Sequence, residues 1–317
     1  MDQLRSPSFL SHLSCLEPTS HAQVITYLQS LHTRAYSPDT LYAVAGVIKK
    51  FLRLLPSARA TLLSANLTRT EPHDLDSFIS AARAAGLAPS TINNKLSLLR
   101  EFFSFLVEEG VMGRQPVLRH RHHLAAPTTL PKPMPEADLV RFFKVVDPVR
   151  DRLLFLLMLR CGLRVSEACA LTWEDVDLPA LTMRVEGGKG DVDRVAYLAP
   201  DVERALRLWQ AHHTGSPYLF PSRKVAGAHL GRRNVFTMMQ KYLRQAGVVR
   251  SYSPHCLRHT FATQLLNAGV ALEVLKELMG HRSIQMTLRY AELYETTKRR
   301  QYDEAMGRIT RQAAARG

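Results

Sequence analysis

Residues 253–270 read SPHCLRHTFATQLLNAGV and open on two residues that favour a helix start. Ser253 is a favoured helix cap and Pro254 suits the first helical position, so a helix is expected to begin here. His255 and Arg258 then fall in its first turn, at i and i+3, on one face. A helix N-terminus offers unpaired N–H groups and the positive end of its dipole. An imidazole and a guanidinium beside it make a site for phosphate. His255 and His259, at i and i+4, suit zinc as an alternative. The glutamate that follows the first histidine of a zinc-protease helix is missing, and no third ligand is evident.

The charge around this stretch favours the anion. The 317 residues hold 42 Lys+Arg against 28 Asp+Glu, a net +14, in an otherwise ordinary composition of 46% hydrophobic and 22% charged residues. That excludes a disordered or fibrous chain and points to a polyanionic partner, nucleic acid being the commonest. The excess is uneven: from Arg204 to Leu272, ten Lys/Arg occur without one carboxylate. A solvated surface usually mixes both signs, and a phosphate backbone explains a one-signed stretch better. Arg232, Arg233, Lys241 and Arg244 lie within it as candidate phosphate contacts. An anionic membrane surface is the rival partner, but no basic amphipathic helix with a bulky apolar face is present.

Upstream, the apolar run Leu153–Leu159 is seven residues long, whereas a membrane span needs about 20. It reads as a buried helix ending at Gly162. Arg164 follows in CGLRVSE, before a helix from about Val165 to Leu171. It is read either as a phosphate ligand or as the partner of Glu167. Residues 181–198, LTMRVEGGKGDVDRVAYL, alternate around a glycine-rich turn and predict a β-hairpin with Lys189 at its tip. No phosphate-binding Walker loop is present, and a solvated turn lysine is the plain alternative. His281 follows Gly280 at a helix end, where a C-capping role competes. Tyr290, in TLRYAEL, reads on its own as a half-buried aromatic.

The first 118 residues read as a helical bundle. Ser37-Pro38 opens a helix carrying Leu41, Val44, Ile48, Phe51 and Leu55. Pro89-Ser90-Thr91 opens another carrying Ile92, Leu96, Leu99, Phe103 and Leu106, closed by Gly110. Lys49, Lys50, Lys95 and Arg100 are its candidate phosphate contacts. Residues 119–135, RHRHHLAAPTTLPKPMP, read as a basic, solvated linker, with a metal at His120, His122 and His123 as the weaker alternative. A second unit is expected over 136–317. The N-terminus lacks the apolar core of a secretory signal, and Cys15, Cys161, Cys169 and Cys256 form no CxxC pair. A reduced, cytoplasmic protein is therefore expected.

Taken in order, CGLRVSEACALTWEDVDL, the GGKG hairpin, SPHCLRHTFATQLLNAGV and LMGHRSIQMTLRYAEL strongly resemble the tyrosine recombinase (phage integrase) family, in its compact, two-domain form. The resemblance implies a mainly α fold with a small antiparallel sheet, in two domains: a helical core-binding domain and an α+β catalytic domain. It implies Tyr290 as nucleophile, Arg164 and Arg258 as phosphate clamps and Lys189 as the hairpin acid. His255 and His281 would be the two histidines, and Glu167 the residue that orients the first arginine. No cofactor or metal is implied. The partner would be double-stranded DNA bearing specific recombination sites. Four protomers, identical or shared with a paralogous recombinase, would assemble on two such sites. The tail from about residue 292, with Leu293, Met306 and Ile309, would dock on a neighbouring protomer. Asp193 departs from the pattern, standing where a second hairpin lysine often occurs. A type IB topoisomerase shares much of the residue set, and a DNA-binding architectural protein would need none of it; the ordered boxes and the complete set favour the recombinase.

Overall fold

Prolines set the helix starts of the first half. In the computed structural model, which describes residues 16–127, 132–187, 193–212 and 215–291 together with 302, 303, 306, 307 and 311, four helices there open on proline. They are α1 (Pro18–Thr33), α2 (Pro38–Arg53), α4 (Pro72–Ala84) and α5 (Pro89–Glu108). The Ser37 hydroxyl caps α2 by accepting the Thr40 amide hydrogen. Between them lie α3 (Ser57–Ala65) and a 3₁₀ turn (Leu67–Arg69). The apolar positions read from the sequence of α2 and α5 are buried, and Phe51 meets Phe78 and Phe103 edge-on at the centre.

Contacts divide the chain into two compact units, Met1–Thr128 and Thr129–Gly317. The stretch read as a solvated linker therefore needs correcting at its start. Arg119–His122 is a short helix, α6, packed against α4 within the first unit. His122 is buried; its Nδ1 accepts the Leu118 amide hydrogen, and its Nε2 bonds the Pro72 carbonyl. Further on, Asn93 pairs with both backbone groups of Leu124. Composition alone cannot reveal this, because the partners of His122 and Leu124 lie 50 and 31 positions away.

The second unit is built around α8 (Val149–Arg160), whose residues 153–159 are all buried. It is preceded by α7 (Glu136–Val145) and followed by α9 (Val165–Ala170). The hairpin forms as β2 (Thr182–Val185) and β3 (Arg194–Tyr197), with Val185 opposite Arg194. A strand not read from the sequence, β1 (Val176–Asp177), completes a three-stranded antiparallel sheet in the order β1-β2-β3. Two residues are too few for a visible alternation. Asp193 accepts the Gly187 amide hydrogen and so closes the neck of the turn.

Helices α10 (Pro200–Gln210), α11 (Arg232–Gln245), α12 (His255–Asn267), α13 (Leu272–Met279) and α14 (Ile284–Ala291) complete the unit. Helices α10 and α12 pack on α8, and α13 packs on β3. Helix α12 starts differently from expectation. Pro254 takes the cap position, Ser253 contributes its carbonyl to Cys256, and no side chain caps the end. Among the described residues, no helix is long and apolar enough to cross a membrane.

Candidate functional site

Four elements of the second unit bring the sequence-selected residues together. Arg164 sits at the cap position of α9, where its amide hydrogen is accepted by Glu167, three residues on, at 2.7 Å. Its guanidinium Nη1 also donates to the Glu167 carboxylate, at 2.8 Å. The Arg164–Glu167 pairing read from the sequence therefore exists, and it belongs to a larger cluster. Arg194, on the inward side of β3, donates to both oxygens of the same carboxylate, at 3.1 and 2.7 Å. Arg258 approaches it from α12, at 3.7 Å.

Arg258 lies deeper than a surface phosphate ligand would, its side chain 1% exposed against 20% for Arg164. Its guanidinium donates to the carbonyls of Gly162 and Met279. Both carbonyls are made available by glycines in the left-handed region. Gly162 (φ 63°) turns the chain after α8, and Gly280 (φ 64°) ends α13. One arginine thus joins the ends of two helices to the start of a third.

His281 follows Gly280 and is buried, and its Nδ1 shares a 2.8 Å hydrogen bond with the Thr287 hydroxyl of α14. Burial, then the charges of Arg258, Arg164 and Arg194, push its pKa down to about 4. The neutral ring is therefore the form present at pH 7. His255 is exposed, and its ring meets that of His259 edge-on at 4.4 Å between centroids. The protein around it, then Arg258 and Arg164, lower its pKa as well. For Glu167 the balance runs the other way. Burial opposes its ionisation, but the hydrogen bonds and charge of Arg194, with those of Arg164, overcome burial and hold its pKa at about 2.

The cluster is strongly cationic. Three guanidinium groups share one carboxylate, and both histidines are biased toward the neutral form. Such a site suits a small anion. Among the described residues, no group of three or more His, Cys, Asp or Glu is placed to hold a metal ion.

Lys189 lies outside the described residues. Tyr290 lies on α14, one turn beyond Thr287, with its side chain outside the description. The tail from about residue 292 also lies outside it, apart from scattered positions such as Met306. Sequence reading missed the part played by Arg194. The signal was the hairpin alternation, which puts Arg194 on the same inward face as Ala196.

The other basic candidates occupy two surfaces. Arg232, Arg233, Lys241 and Arg244 are all exposed on α11; Arg233, Lys241 and Arg244 recur at i, i+8 and i+11, along one stripe. In the first unit, Lys49 and Lys50 are on α2 and Lys95 and Arg100 on α5, all half-buried. Partial burial, then the charge of Lys50, lowers the pKa of Lys95.

Comparison with known proteins is consistent along the chain. Residues 133–297 match the phage integrase family model, and residues 24–110 match the phage integrase N-terminal SAM-like domain. The tyrosine recombinase XerC of Xanthomonas campestris pv. campestris is 32% identical over 309 residues, covering 95% of this chain and 91% of the relative. The tyrosine recombinase XerA of Pyrococcus furiosus is 34% identical over 222 residues, covering 68% of this chain and 74% of the relative. Among solved structures, the Tn1549 transposon integrase in complex with a circular intermediate DNA has a TM-score of 0.68 at 20% identity, covering 84% of this chain and 94% of that one. The XerH recombinase bound to its palindromic difH substrate has a TM-score of 0.67 at 23% identity, covering 86% and 80%. With matches to both of its halves in order, and a relative aligned over nearly its whole length, the chain belongs to the phage integrase family, the tyrosine recombinases.

Proposed function

We propose that this protein is a site-specific recombinase that cuts and rejoins duplex DNA through a covalent bond between Tyr290 and a 3′-phosphate. The observation that carries the reading is the convergence of Arg164, Arg258, Glu167 and His281 on one cationic cluster, with Tyr290 on the helix that His281 is hydrogen-bonded to.

A phosphodiester resists attack because its anionic oxygens repel nucleophiles. Arg164 presents planar donors to those oxygens, and Arg258 adds positive charge from beneath. Charge that builds on the phosphorus during attack is then met by groups already in place, which is the largest single source of rate enhancement in many enzymes. The Tyr290 hydroxyl gives up its proton to one of the two neutral histidines, His255 or His281, as its oxygen bonds to phosphorus; a free tyrosine, with a pKa near 10, needs such help. The leaving 5′-oxygen takes a proton, for which Lys189 is the donor. The phosphotyrosine keeps the energy of the broken ester, so a 5′-hydroxyl from a second strand reseals the backbone and frees Tyr290 without ATP. The exposed cations of α11 in the second unit, and those of α2 and α5 in the first, are contacts for the phosphates of the duplex. Exchange between two sites is carried out by four protomers on DNA.

Incubation with a nicked suicide substrate, from which the cleaved strand end diffuses away, should give an adduct stable to SDS. Tyr290→Phe should give none. An adduct from the phenylalanine variant would refute the nucleophile assignment.

A further inference from the structure

Arg194 has no role in the mechanism above, yet it donates both of its terminal nitrogens to Glu167. Without it, the Glu167 side chain would be held by Arg164 at one side-chain bond and one backbone bond, and by the more distant Arg258. Two parallel bonds from a planar guanidinium fix the plane of a carboxylate in a way that a single donor cannot. The burial gradient separates the two paired arginines. The Arg194 side chain is 5% exposed and faces inward on β3, whereas that of Arg164 is 20% exposed at the cap of α9. Arg164 is placed to meet a ligand from solvent, and Arg194 is placed behind the group that Arg164 leans on.

We propose that Arg194 is a positioning residue: by fixing the Glu167 carboxylate it holds the Arg164 guanidinium in the orientation that receives the scissile phosphate. The assignment rests on the reading of Arg164 as a phosphate ligand. It departs from a plain buried ion pair in one respect that can be measured. A structural pair matters equally for every substrate. A residue acting through Arg164 matters most when the phosphate carries the negative oxygen that Arg164 neutralises.

The experiment uses the full chain and two nicked suicide substrates, one with a normal scissile phosphate and one with a neutral methylphosphonate there. On the normal substrate, Arg194→Gln should slow single-turnover adduct formation roughly 10- to 100-fold, by analogy with the loss of partners that orient metal ligands. The Kd for the duplex should change by less than about threefold, since one buried side chain is not a backbone contact. On the methylphosphonate, the gap between variant and wild type should close to within a few fold. Arg194→Lys restores the charge but not the paired geometry, so it should fall between wild type and Arg194→Gln; it also carries the comparison if the glutamine variant does not fold. Equal fold-losses on both substrates would reduce Arg194 to a structural residue, and a wild-type rate in Arg194→Gln would remove it from the site. If the wild-type chain forms no adduct on the normal substrate, the cleavage reading itself fails and takes this one with it. If it forms one, the variants judge Arg194 alone.

Discussion

Gly162 turns the chain out of α8 with a φ of 63°, offers its carbonyl to Arg258 and lies against the ring of Phe261. A Cβ placed there would come within 2.5 Å of two ring carbons. Gly162→Ala therefore combines a left-handed penalty of about 1–2 kcal/mol with an overpacking cost of about 1–3 kcal/mol. We expect urea denaturation to show a loss of about 2–5 kcal/mol, together with slower cleavage as one of the two carbonyls that hold Arg258 shifts; a loss under about 0.5 kcal/mol would contradict the geometry. Glu167 makes a prediction about acid. Its folded pKa of about 2 lies below that of an unfolded glutamate. The resulting stabilisation is complete above about pH 4.5 and is lost as pH falls toward 2, a contribution of about 3 kcal/mol. Glu167→Gln should therefore be less stable than wild type at pH 7, with the difference narrowing below about pH 4.5. A constant difference across that window would show that the carboxylate is not held by its arginines.

Elements differ in how plainly the sequence announces them. Helices α2 and α5 were legible because a proline start, an apolar stripe and a following turn all agree. The site residues of α9 and α12 were legible because their order along the chain matches a known pattern. What was not legible depends on contacts between distant segments. Arg194 acquires its meaning from Glu167, 27 positions away, and α6 acquires its place from Pro72. The α6 contact gives a prediction at this scale. His122 accepts a backbone N–H at Nδ1, so it is held neutral, and burial is the main cause of its lowered pKa. Protonation favours the unfolded chain, so stability of the first unit is full above about pH 6.5, the ordinary value for histidine, and declines below it. His122→Phe leaves the Leu118 amide without its acceptor, costs about 1–3 kcal/mol, and should remove this part of the pH dependence. Titration of the first unit's unfolding by circular dichroism, wild type against variant, is the check. Parallel curves through about pH 6.5 would dismiss His122 as the cause.

Across the whole molecule, the +14 net charge is set out in patches that differ in depth. The stripe on α11 is exposed, the cluster on α2 and α5 is half-buried, and the arginines around Glu167 are largely buried. Exposed cations that meet DNA phosphates release counterions, so affinity should fall steeply with salt. Arg233→Ala or Lys241→Ala should each lower the slope of log Kd against log salt by about 1, across unrelated DNA sequences alike. A slope unchanged in both variants would place the duplex elsewhere. The buried arginines bear on a different property. One carboxylate faces three guanidinium groups, so the cluster is net positive among the described residues. On the proposed reading a DNA phosphate brings negative charge to this cluster, and a ligand that binds only the folded state raises its stability. The substrate is in that sense a part of the protein's own stability, and resistance of the second unit to heat or protease becomes a gauge of whether a phosphate is seated.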